Sequence, residues 1–190
     1  ARSALTPGVR RSSFKSGGEA AESGGMATLV RNAGAIWAPV LLALALGLVA
    51  LAYRSVLSAD FVWDDHPLID EQPFTQEIQP LTEYFDREFW SDPMKPDSRG
   101  FYRPLVSLSY ALEWQLWNGH PAGFHLTNLL FHLATCALLF ALALRAGAGP
   151  IAAALAVLLF GLHPRLTESG AWISGRTDVL ASWLVLGALW

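Results

Sequence analysis

Residues 33–53 read AGAIWAPVLLALALGLVALAY, 21 residues without a charge, and no other feature restricts the fold as much. A helix rises about 1.5 Å per residue, so the run matches a hydrocarbon core of roughly 30 Å. A surface helix of a water-soluble domain would carry a polar face; this run has none. A cleaved signal peptide is the competing reading, but the run outlasts an apolar signal core and lacks a small-x-small cleavage site before Arg54. The pattern then recurs. FHLTNLLFHLATCALLFALAL (residues 124–144) makes a second span with polar residues in its first half, residues 146–162 make a short third, and residues 179–190 begin a fourth. Hydrophobic residues reach 53% against 15% charged, which argues against an ordinary soluble domain. The expected fold class is an all-α polytopic membrane protein.

The division predicted from these runs is a cytoplasmic, disordered tail (1–32), a first span (33–56), a first non-cytoplasmic loop with interfacial helices (57–122), a second span (123–145), a third (148–163), a second non-cytoplasmic loop (164–178) and the start of a fourth span (179–190). The tail is rich in Gly, Ser, Ala and Arg, and Met26 stands as an alternative start. The chain opens without Met and closes inside an apolar run, so it is expected to be an N-terminal fragment. Arg31 and the basic tail precede the first span, and Arg145 sits in the tight link RAGAGP. The positive-inside rule places both on the cytoplasmic face, and the two remaining loops opposite. Of 16 acids, 12 lie in residues 60–113, beside 4 of the 13 Lys and Arg residues. That balance leaves no basic footprint for nucleic acid. In PLVSLSYALEWQLW, after Arg103, Leu105, Leu108, Leu112 and Leu116 fall near one face, which predicts an amphipathic helix along the membrane surface. A core helix of a small soluble domain is the alternative.

Chemistry concentrates at the ends of the spans. Asp64 and Asp65, in VWDDHPLID, follow the first span by about ten residues; turn or capping chemistry before Pro67 is the bland explanation. The second loop, HPRLTESGAWISGRTD, holds His163, Arg165, Glu168, Arg176 and Asp178, a density that suggests an anionic ligand or a relay. His125, Asn128 and His132 share one helix face, where hydrogen bonding to neighbouring helices outweighs a zinc site that lacks a ligand motif. Lone Cys136 is expected to pack as a small hydrophobe. Ionisable groups at span ends rather than mid-membrane count against a transporter.

Three ordered blocks carry a resemblance: FVWDDHPLI, then FYRPLVSLSYALEWQLWNGHPAGFHLTNLLFHL, then LLFGLHPRLTESGAWISGRTDVLAS. Over residues 57–190 the chain resembles the N-terminal part of the transmembrane and tetratricopeptide repeat-containing O-mannosyltransferases and their bacterial relatives. The resemblance implies a glycosyltransferase C-like helical bundle in the bacterial inner membrane or the endoplasmic reticulum. It further implies inverting transfer of a sugar, mannose in that family, from a polyisoprenyl-phosphate donor to a protein Ser or Thr hydroxyl. On that basis Asp64 and Asp65 are the catalytic acidic pair, one as base. Arg176, Arg103 and His163 are the donor-phosphate candidates, with Arg176 first because guanidinium grips phosphate with two donors. Pro164, Glu168 and Gly175 complete the second-loop motif. No metal ligand is assigned and no cofactor beyond the lipid-linked donor; a divalent metal is left open. The alternative from another class is a membrane-anchored scaffold or chaperone presenting C-terminal tetratricopeptide repeats.

Overall fold

The computed structural model describes residues 36–89 and 101–190. The expected tail and Trp90 lie outside them. The described residues form helices and turns with no strand among them, and the chain is an all-α integral membrane protein.

Helix α1 runs Ile36–Ser58, its last five residues tightening into a 3-10 turn. Ala45, Val49 and Tyr53, spaced four apart, bury one stripe against the rest of the chain, while Leu44, Leu48 and Leu51 stay more than half exposed. Such a helix, apolar all round with one covered stripe, suits lipid on its open side. Two short helices follow, α2 (Pro73–Gln76) and α3 (Leu81–Asp86), then α4 (Pro104–Trp117) and α5 (Pro121–Arg145). Proline at the first helical position opens α4 and α5, where its missing N–H costs nothing. Asn118, in the left-handed region at φ 50°, closes α4.

The third apolar stretch is not one straight span. Helix α6 covers Pro150–Gly161, the chain breaks before Pro164, and Pro164–Ala171 continues at 52°, ending in α7 (Thr167–Ala171). Among the described residues two helices, α1 and α5, are long and apolar enough to cross a bilayer, and the crossings number up to three if the bent pair counts as one. Helix α8 is Arg176–Leu189.

Small residues let α1, α5 and α6 approach closely. A Cβ on Gly161 would stand 2.6 Å from Val49 Cγ2 and 3.0 Å from Cys136 Sγ. Ala45, Cys136, Ala153 and Val157 fill the rest of that seam, so Cys136 packs as the small hydrophobe expected. In lipid this contact is held by van der Waals packing rather than by release of water.

The helix directions gather the polar loops at one end. Arg145 Nη1 donates to the Trp190 carbonyl at 2.7 Å, so the far ends of α5 and α8 meet. At the opposite end a second core of Phe61, Leu68, Ile69, Phe89, Val106, Tyr110, Phe124, Ile173 and Leu180 knits both loops to the tops of α4, α5 and α8. Helix α4 buries Val106, Tyr110, Ala111 and Glu113 in or beside this core. Its leucines point elsewhere: Leu105, Leu112 and Leu116 are 48%, 51% and 69% exposed. The face expected to meet a membrane surface is thus the one the protein leaves uncovered.

Candidate functional site

Asp64 and Asp65 are adjacent but face different surroundings. Trp63, just before them, sits at φ 51°, a left-handed conformation that a bulky side chain adopts at a cost of about 1–3 kcal/mol. The Asp65 carboxylate turns inward and is fully buried: Oδ1 accepts from the backbone N–H and hydroxyl of Ser174, at 2.9 and 2.5 Å, and Oδ2 from the Val62 N–H at 3.1 Å. Burial raises its carboxyl above the ordinary aspartate value, with the Ser174 and Val62 hydrogen bonds pulling it back. Asp65 therefore ties the first loop to the second. Asp64 faces outward into a cleft, and among the described residues no protein group bonds its carboxylate. Behind the pair, a π-helical turn from His66 to Asp70 returns the chain, and Asp70 accepts from His66 Nδ1 at 3.0 Å, which raises the imidazole pKa.

The cleft encloses about 270 Å³ between the two loops. Asp64 and Arg103 line it from the first loop, and Glu168, Trp172, Thr177 and Asp178 from the second. Arg103 is held flat by Phe89 and Phe101, its guanidinium carbon 5.0 and 4.8 Å from their ring centres. That stacking fixes the cation without using its hydrogen-bond donors. Asp178 accepts from the Ser169 hydroxyl at 3.0 Å. Among the described residues the Trp172 indole N–H and the Thr177 hydroxyl have no partner.

Gly175 is required where it stands, because a Cβ there would lie 2.9 Å from the Glu168 carbonyl oxygen and the Ser169 Cα. Its absence lets α8 start directly against α7, closing one wall of the cleft.

Arg176 does not line the cleft. Its side chain is fully buried behind the cleft: Nε donates to Asn128 Oδ1 at 2.7 Å, Nη2 to the Phe124 carbonyl at 3.0 Å, and Nη1 to Ser109 Oγ at 3.2 Å and to Glu113. Tyr110 covers its face at 4.8 Å. Burial pushes Glu113 up to about 7, against the pull of the Arg176 charge. A guanidinium so engaged braces α4, α5 and α8. His163 and Pro164 also lie apart from the cleft lining. His163 Nδ1 caps the turn after the break by accepting from the Arg165 N–H at 3.2 Å, and Pro164 opens that turn.

The polar stripe of α5 serves the irregular backbone opposite it. His125 bonds the Ala171 carbonyl at 3.0 Å, Asn128 donates to the Trp172 and Ile173 carbonyls at 2.9 and 3.3 Å, and His132 bonds the Gly161 carbonyl at 3.1 Å. The Gly161 and Ala171 carbonyls stand at helix ends, where intrahelical donors run out, while those of Trp172 and Ile173 also accept from the Gly175 and Arg176 N–H groups of the following 3-10 turn. Among the described residues no group of three or more His, Cys, Asp and Glu is arranged around a metal.

Of the candidates drawn from the sequence, Asp64, Arg103, Glu168 and Gly175 converge on the cleft, while Asp65 and Arg176 stand behind it. Sequence reasoning missed Trp63, Trp172 and Thr177. Trp172 and Thr177 both lie within the second-loop stretch HPRLTESGAWISGRTD, so their position was a signal; the backbone of Trp63 offered none.

Comparison with known proteins gives a consistent family. The chain is 32% identical over 146 residues to human protein O-mannosyl-transferase TMTC3, covering 76% of this chain and 16% of that protein. It is 34% identical over 155 residues to mouse protein O-mannosyl-transferase TMTC4, covering 73% and 21%. Against Drosophila melanogaster protein O-mannosyl-transferase Tmtc2 it is 35% identical over 136 residues, covering 70% and 14%. The chain thus spans about a fifth or less of the length of these relatives. No known family profile and no solved structure matches it. With ordered blocks shared across three quarters of its length, the chain belongs to the transmembrane and tetratricopeptide repeat-containing O-mannosyltransferase family.

Proposed function

We propose that this chain is the donor-handling part of a membrane protein O-mannosyltransferase, moving mannose with inversion from a polyisoprenyl-phosphate donor to a Ser or Thr hydroxyl. The observation that carries the reading is an Asp64 carboxylate that no group among the described residues bonds, in the same cleft as the stacked Arg103. The names of the relatives, protein O-mannosyl-transferases, supply the sugar and the class of acceptor. Asp64 takes the proton of the acceptor hydroxyl as its oxygen bonds to the anomeric carbon. The anomeric carbon's bond to the phosphate oxygen breaks, and the phosphate leaves with the electron pair. Arg103 offsets the charge that develops on the departing group. A lipid phosphate is already a good leaving group, so no strong acid is needed. Asp65 holds the geometry and does not touch substrate.

The cleft faces the non-cytoplasmic side in this reading, since Arg145 marks the other end of the helices. There a lipid-borne sugar meets a water-borne hydroxyl. A pure membrane anchor for a repeat domain has no use for an aspartate and a ring-stacked arginine lining one cleft.

The test is transfer of labelled mannose from polyprenyl-phosphate mannose by membranes holding the full-length protein. Asp64→Asn should lower the rate by about 10² to 10⁴-fold, the usual worth of a general base, at unchanged protein level. Asp65→Asn should instead lower the amount of folded protein. Full transfer by Asp64→Asn would sink the assignment of the base, and absence of transfer by wild type from this donor would sink the donor.

A further inference from the structure

Trp63 is strained without return from the core. Its backbone stands at φ 51°, where glycine would sit freely, yet the chain carries an indole there, 80% exposed. Its ring contact among the described residues is with Trp172, centroids 6.1 Å apart and planes at 83°. Trp172 lines the cleft with Asp64, Glu168 and Asp178. The two indoles pack edge to face, and Trp63 leaves most of its ring exposed against a residue that shares the cleft lining with three carboxylates. Aromatic faces attract polarised C–H groups, and carboxylates accept hydrogen bonds from hydroxyls. A ligand with one C–H face and a rim of hydroxyls satisfies both.

We infer that Trp63 and Trp172 form the subsite for the donor's hexose ring, which stacks on the Trp63 indole at the mouth of the cleft while its hydroxyls meet the carboxylates. The inference rests on the glycosyltransferase reading and adds to it a residue that sets sugar affinity. The left-handed backbone then has a purpose: it keeps the indole exposed and against Trp172 while Asp65, two residues on, is anchored to Ser174.

The experiment uses the full-length protein with short-chain polyprenyl-phosphate mannose as donor and the same polyprenyl phosphate without sugar as competitor. Trp63→Gly removes the ring and relieves the backbone, Trp63→Phe keeps a ring, and Trp63→Leu keeps only apolar bulk. The expected result is a donor KM raised about tenfold in Trp63→Gly, with acceptor KM unchanged and the thermal midpoint held or raised. Trp63→Phe should recover most of the loss and Trp63→Leu little of it. Inhibition by the bare lipid phosphate should be unaltered in all three. Unchanged donor KM in Trp63→Gly overturns the subsite, as does bare lipid phosphate weakened by the same factor, since the indole would then meet lipid. Rescue by Trp63→Leu equal to that by Trp63→Phe, or a shift confined to acceptor KM, overturns it too. Wild-type transfer with a normal Trp63→Gly KM removes the subsite alone; a wild type that neither binds nor uses the donor removes the function and the subsite together.

Discussion

Arg176 and Glu113 show how much of a residue's surroundings its local sequence leaves out. Arginine in a polar loop at a membrane boundary suits a phosphate, and nothing in GRTD signals that the side chain turns back under Tyr110 into the protein. The partners that capture it, Ser109, Glu113, Phe124 and Asn128, lie 48 to 67 residues away in sequence, so only the tertiary fold reveals them. Removing one member of a buried pair leaves the other uncompensated, at about 3–5 kcal/mol. Arg176→Ala should therefore lower the thermal midpoint and yield of the purified protein before any catalytic effect is measurable. Glu113→Gln keeps an acceptor for Nη1 and should cost far less than Glu113→Ala. The pH dependence has a definite sign. With its pKa raised from 4.5 to about 7 by burial, folded Glu113 keeps a proton that the unfolded chain has already released, so stability falls as pH rises between those values and levels off above. Thermal melts in detergent from pH 5 to 8 should show that decline in wild type and lose part of it in Glu113→Gln; an unchanged profile would exclude Glu113 as the titrating group.

Elements were far more legible than side-chain roles. Hydropathy exposed the two long helices because a run of uncharged residues has few other uses, and RAGAGP left α5 and α6 only an antiparallel arrangement. The bend after α6 was less visible: the apolar run gives way at His163–Pro164 without showing that the chain turns back into helix at 52°. The polar stripe of α5 follows the irregular backbone there: His132 bonds the Gly161 carbonyl at the bend, and His125 and Asn128 bond the Ala171, Trp172 and Ile173 carbonyls where α7 ends. The seam of α1 with α6 is a sharper test of the packing. A methyl on Gly161 would meet Val49 Cγ2 at 2.6 Å, and overpacking of this kind costs about 1–3 kcal/mol. Gly161→Ala should lower the thermal midpoint of the protein in detergent, and adding Val49→Ala should restore part of the loss. If Gly161→Ala proves neutral, or the second change deepens the defect, α1 and α6 do not meet there.

At the scale of the whole molecule, the arrangement separates the cationic link from the acidic cleft by the length of α5. The ends of α1 and α6 and the beginnings of α5 and α8 gather around the two loops, while Arg145 meets Trp190 at the other end. A lipid-linked donor needs that polarity, because its tail must stay in hydrocarbon while the reacting bond reaches water. The separation predicts opposite exposure of two engineered thiols. Ser58→Cys lies at the cleft end of α1 and Ala146→Cys in the link after α5, both on exposed positions, and native Cys136 is buried in the seam. In vesicles of known orientation, a membrane-impermeant maleimide should label Ser58→Cys from the non-cytoplasmic side and Ala146→Cys only after permeabilisation, with wild type silent throughout. Equal labelling of both from one side would mean that α5 does not cross the bilayer. Reversed labelling would keep the crossing and put the cleft in the cytoplasm, where the donor would have to present its sugar on the cytoplasmic leaflet.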